Sequence, residues 1–232
     1  LGNLTNDSGQ PFTLAIAGFG SGKSHIALTL SQLLESSDEQ VKNTIIDNIA
    51  IADKSIAEQT RKLLSELDGK TLVITLNGMN NFDLSSEILA QAKTKLQALN
   101  ISTEPLEELR QRFTHAASIL KNFDASLLQP LLLELDVSDT NVIYEKLAAY
   151  DETIYARVHD FLATLGIPLK AIVDETAKDV LKQLVSQYVG DDKPFAKVLI
   201  LFDEFGRYLE FATTKSQIAG NGALQQLYEG VQ

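Results

Sequence analysis

The residues best placed for chemistry are at 17–24, where the chain reads AGFGSGKS. Gly18, Gly20 and Gly22 alternate with Phe19 and Ser21, and the three glycines let the backbone turn several N–H groups inward. Lys23 and Ser24 follow directly, and His25 stands beside them. An apolar run at 14–17 precedes this loop, and a helical pattern begins near Lys23. Strand, glycine loop, Lys-Ser and helix make the pattern that cradles phosphates. The positive end of the helix adds to it. On this reading Gly18, Phe19, Gly20, Ser21, Gly22, Lys23, Ser24 and His25 line a nucleotide site. Lys23 reaches the β- and γ-phosphates, and the Ser24 hydroxyl faces Mg²⁺. The usual pattern begins with Gly, and Ala17 takes that place here. His25 is as well explained by packing or capping on the first helical turn.

A second set of residues follows much later. The run KVLILFDE at 197–204 is an apolar strand ending in Asp203 and Glu204. In a parallel sheet this end lies at the same edge as the glycine loop. Asp203 can then help hold Mg²⁺ with Ser24, and Glu204 can polarise an attacking water. Read alone, the acidic pair is equally an ordinary helix start, where carboxylates suit the dipole. The glycine loop gives it its meaning, because two halves of one site stand in the expected order. Asn77, closing the run at 72–76, is placed to help orient water, although Asn-Gly also simply forms turns. Arg207 is a further accessory candidate, with a surface role or a pairing with Glu210 as its plainer reading.

These two motifs are the Walker A and Walker B patterns, and the chain resembles P-loop ATPases of the additional-strand, catalytic-glutamate division. The likeness covers about residues 11–34, 70–99 and 196–232. Within it, the segment after Glu204 is similar to AAA+ and ORC/STAND-type modules. ABC and SMC-type ATPases would show an LSGGQ-like signature, and GTPases an Asn-Lys-x-Asp motif; neither is present. Short stretches around 18–25, 72–78 and 201–208 also resemble large bacterial phage-defence ATPases of the BREX type. The resemblance implies ATP and Mg²⁺ as ligands and γ-phosphate hydrolysis as the reaction. It further implies a homo-oligomer or larger complex formed through regions outside residues 1–232, and leaves DNA contact to such regions. No strand with a polar sensor, arginine finger or helical lid is read between Glu204 and Gln232, so the chain is expected to be a fragment of a longer module, inactive in isolation if those parts are needed.

Three β-rich runs at 14–17, 72–76 and 198–202 supply the strands of an α/β fold. None alternates with polar residues, so each is expected to be covered on both faces. Helical stripes lie between them: Ile26, Leu30, Leu33 and Leu34; Ile56, Leu63, Leu64 and Leu67; Leu84, Ile88, Ala92, Leu96 and Leu99, with Asp83 as N-cap. More follow: Leu106, Leu109, Phe113, Ala116 and Leu120; Ile154, Val158, Phe161, Leu162 and Leu165; Val173, Ala177, Val180, Leu181, Leu184 and Tyr188. A crossover between parallel strands needs about a dozen residues or more. Far more than that separates the last two runs. The expectation is therefore a P-loop NTPase parallel sheet flanked by helices, with a large helical insertion before the Walker B strand. Its divisions are 1–100 for the first part of the core, 101–190 for the insertion and 191–232 for the rest. A short helix at 205–211, a polar loop at 212–222 and a helix from Ala223 are expected at the end.

Composition sets outer limits. The chain has 232 residues, 20 Lys and Arg against 31 Asp and Glu, and a net charge of −11. That balance argues against a generally basic, nucleic-acid-coating surface. Cysteine is absent, which removes disulfides, thiolate metal sites and Cys nucleophiles, and fits a cytoplasmic protein. No apolar run approaches the ~20 residues of a membrane span. The acidic pairs 151–152, 174–175 and 191–192 read as caps or solvated turns, and the aromatic residues Phe113, Phe123, Tyr144, Tyr155 and Phe161 as core or a partner-helix surface. Two further functions remain open beside hydrolysis: a nucleotide-gated interaction protein with little turnover, and a DNA-processing motor.

Overall fold

The computed structural model describes residues 1, 12–18, 20–67, 69–107, 109, 111–167, 169, 175–220 and 222–231. The apolar runs at 72–76 and 198–202 become β1 (Thr71–Asn77) and β2 (Lys197–Asp203). They pair in parallel, from Thr71 opposite Lys197 to Asn77 opposite Asp203. Parallel neighbours cannot be joined by a tight turn, so the chain between them has to leave the sheet and return. Leu72, Val73, Ile74 and Leu76 of β1 are buried, as a strand covered on both faces should be. Every residue of β2 is only half-buried, which corrects the expectation of full cover there.

The run at 14–17 is not a strand. Residues 12–18 take no regular structure and are exposed, with Ile16 at 86%. β-rich composition makes a strand only where a neighbour's backbone completes the ladder. Among the described residues the sheet has two strands, and neither pairs with this run. What the structure has is thus a mixed α/β fold with a small parallel sheet flanked by helices.

The chain divides into two compact units. The first comprises Leu1–Asn80, Leu181–Glu210 and Leu224–Gln232. Here α1 (Lys23–Glu35) packs on both strands and on α2 (Glu39–Ala52), which packs in turn on α3 (Lys54–Ser65). Leu33, Ile46 and Ala57 form the shared seam, with Ile45, Ile49, Ala50 and Leu64 around them. Of the stripes expected here, Ile26 and Ile56 are exposed at 61% and 52%, because the seam is narrow and holds one face of each helix.

The second unit comprises Asn81–Val180 and Phe211–Ala223. It contains α4 (Leu84–Ala98), a 3-10 turn (Glu104–Leu106), α5 (Gln111–Leu120), α6 (Ala125–Glu134), α7 (Thr140–Ala148) and α8 (Glu152–Thr164). The stripes from Leu84 to Leu96, Leu106 to Leu120 and Ile154 to Leu162 are buried, while Leu99 and Leu165, at the helix ends, are not. Arg112 lies over the rings of Phe113 and Tyr155 and bonds Glu152 at 2.5 Å. Asp83 caps α4 as expected, accepting from the Ser86 N–H at 2.8 Å. This unit takes in 81–100 and 211–223 besides most of the stretch at 101–190 read as an insertion.

Four helices complete the chain: α9 (Ala177–Tyr188), α10 (Phe205–Thr214), α11 (Ser216–Ala219) and α12 (Ala223–Gly230). Thus α10 runs past the expected end at 211, and α11 occupies part of the expected polar loop. Among the described residues no helix is long and apolar enough to cross a membrane.

Candidate functional site

Five helices here start on an aspartate that caps them through its side chain. Asp38, Asp53, Asp83, Asp139 and Asp151 cap α2, α3, α4, α7 and α8 with side-chain hydrogen bonds to first-turn N–H groups. Beside such capped helices, α1 is different. Its N-cap is Gly22, in the left-handed region at φ 87°, with no side-chain cap and no acidic residue in the first turn. Its leading N–H groups therefore keep their partial positive charge for another acceptor. Gly20, at φ 75°, makes the preceding turn with glycine's backbone freedom.

Lys23 folds back over this loop. Its Nζ donates to the carbonyls of Ala17 at 2.9 Å and Gly18 at 3.0 Å. The ammonium is thus held above the loop that precedes α1. Ser21 N–H donates to the Gly18 carbonyl at 3.4 Å and closes the loop. Ser24 and His25 are exposed on the first turn of α1, and the His25 carbonyl accepts from the Thr29 hydroxyl at 2.8 Å. Phe19 lies outside the described residues.

The ends of the two strands form the other half. Asn77 and Asp203 are register partners. The Gly78 N–H donates to the Asp203 carbonyl at 2.9 Å, extending the ladder by one bond. Asn77 Oδ1 accepts from the Met79 N–H at 3.0 Å, so its side chain shapes the turn that leaves β1. Asp203 Oδ1 accepts from the Glu204 N–H at 3.0 Å. Glu204 is exposed and has φ 51°, left-handed for a residue with a Cβ. Its carbonyl accepts from the N–H groups of Arg207 at 3.0 Å and Tyr208 at 3.3 Å, which starts α10. Arg207 is exposed, and among the described residues it forms no ion pair with Glu210 or any other group. Phe12 sets its ring edge-on to Phe205 at 6.2 Å, which brings the chain before the loop to this end of β2.

The sequence-derived residues therefore fall into two groups, the loop set around Lys23 and the strand-end set around Asp203. The helix that carries Lys23 and Ser24 packs on both strands. Among the described residues, no hydrogen bond or ion pair joins Lys23 or Ser24 to Asp203 or Glu204. No group of three or more His, Asp or Glu side chains is arranged to hold a metal ion among those residues. A hollow of about 460 Å³ lies at the opposite strand ends, lined by Gly69, Lys70, Gly190, Lys193 and Ala196.

Two features were not legible from motifs: the left-handed Glu204 and the close approach of Gly78 to it. The dipeptide Asn77-Gly78 signals a turn, but not what the turn touches. No protein-family model matches the chain, and no curated protein or solved structure matches it either.

Proposed function

We propose that this chain is a Mg²⁺-dependent ATP-binding module with a P-loop NTPase core, built to hydrolyse the γ-phosphate. The observation that supports this most is the glycine-capped, acid-free start of α1 with Lys23 held above it, on a helix that packs against the strand ending in Asp203 and Glu204. In that arrangement the loop N–H groups and the start of α1 take the phosphates. Lys23 exchanges the Ala17 and Gly18 carbonyls for phosphate oxygens and stabilises charge developing on the γ-phosphate.

The donor set suits a small hard cation. Ser24 is exposed, and among the described residues Asp203 accepts through Oδ1 alone, which leaves one hydroxyl and one carboxylate oxygen for the cation. Mg²⁺ takes one or two protein oxygens together with phosphate and water, so no cluster of acids is needed. When bound it would neutralise charge on the β- and γ-phosphate oxygens. Glu204 orients and deprotonates the attacking water, Asn77 supports the water position, and Arg207 is free to meet a phosphate or a neighbouring subunit.

The motif resemblance extends the proposal to ATP as the nucleotide and to an oligomer or larger assembly, and a chain without cysteine fits the cytoplasm as the location. An anti-phage or DNA-processing machine is the kind it favours. The test is phosphate release. Glu204→Gln should bind ATP as tightly as the unaltered chain and release phosphate about 100-fold more slowly, the low end for loss of a positioned base. Equal rates would remove Glu204 from that role. Tight binding with no turnover in either protein would favour a nucleotide-gated switch.

A further inference from the structure

Glu204 does not hold its conformation by intrinsic preference. A left-handed φ is unfavourable for a residue with a Cβ, which crowds the carbonyl oxygen that follows. An outlier of this kind persists only where its surroundings over-determine it. Three contacts surround it. Its N–H is fixed on Asp203 Oδ1, its carbonyl receives the first N–H groups of α10, and Gly78 lies against that same carbonyl. A Cβ built on Gly78 would fall 3.0 Å from the Glu204 carbonyl carbon and 3.0 Å from Tyr208 Cβ, and closer still to the Glu204 oxygen. Tyr208 is fully buried, so it cannot step aside cheaply.

We infer that Gly78 is a positioning residue for Glu204: its missing side chain lets the turn after β1 lie flat against the Glu204 peptide and hold that main chain left-handed, aiming the carboxylate. The role in turnover rests on the hydrolase reading above, whereas the steric coupling does not. Any side chain at 78 pushes the Glu204 carbonyl away, loosens the first bonds of α10 and turns the carboxylate from its position. The nucleotide loop at 17–24 is not in this contact, so binding is spared.

The experiment compares the unaltered chain with Gly78→Ala and Gly206→Ala for ATP affinity and phosphate release. A Cβ on Gly206 meets nothing, so that variant controls for an added methyl close to Glu204 in sequence. Gly78→Ala should keep ATP affinity within about twofold and lose about 100-fold in kcat, while Gly206→Ala stays at the original rate. Unchanged kcat in Gly78→Ala overturns the inference, and so does a parallel loss of ATP affinity. Melting temperatures decide the matter independently of any ATP chemistry. Gly78→Ala should lower Tm by about 4 °C, and by less than half of that in a Glu204→Gly background, where the peptide can yield. Equal losses in both backgrounds overturn the coupling. Absence of turnover in the unaltered chain would instead count against the hydrolase reading, with the Tm comparison still judging the contact.

Discussion

Tyr188 ends α9 as a buried residue, 4% exposed, and burial pushes its phenol above the ordinary value of 10.0. The sign follows from linkage. The folded chain favours the neutral phenol, so this contribution is complete below the unfolded pKa and is lost as pH rises through the folded one. Stability should therefore fall above about pH 10, and Tyr188→Phe should flatten that fall. Urea midpoints measured between about pH 9 and about pH 11 would show it, and an identical slope in the variant would exclude Tyr188 as the cause. Asp139 shifts the other way, held below its usual range first by the Asn141 backbone N–H and then by the Asn141 side chain. The same residue type thus caps a helix here and closes a strand at Asp203, and only the element it ends distinguishes the two roles.

Elements show what pattern can and cannot announce. Asp53 accepts from the N–H groups of Ser55 at 2.8 Å and Ile56 at 3.1 Å, whereas Asp124 makes no side-chain bond at the start of α6. Asp53→Ala should cost about 1 kcal/mol, and Asp124→Ala less than about 0.5 kcal/mol, both by urea unfolding. Comparable losses would mean that charge at the helix start, and not the hydrogen bond, is what matters. Strands at 72–76 and 198–202 were legible because apolar β-branched runs of that length fit a parallel sheet. The same composition at 14–17 misled, because pairing is a property of the neighbour and not of the run. Helical faces from Leu84 onward were legible through their spacing. The glycine loop and the Asp-Glu end were legible as motifs. The contact of Gly78 with Glu204 was not, because it joins backbone positions far apart in sequence.

At the scale of the whole molecule, the net charge of −11 hides a local exception. Around the start of α1 the chain offers uncapped N–H groups and an ammonium with no acid in the first turn, a small positive site on an acidic protein. Calorimetric titration with ATP and Mg²⁺ tests that local site directly. The chain should bind one ATP, and Lys23→Ala should weaken that binding by roughly 100-fold, as loss of charge-assisted bonds to phosphate requires. A Lys23→Ala variant that melts at the original temperature and binds ATP with unchanged affinity would contradict the account, as would an unaltered chain that takes up no nucleotide.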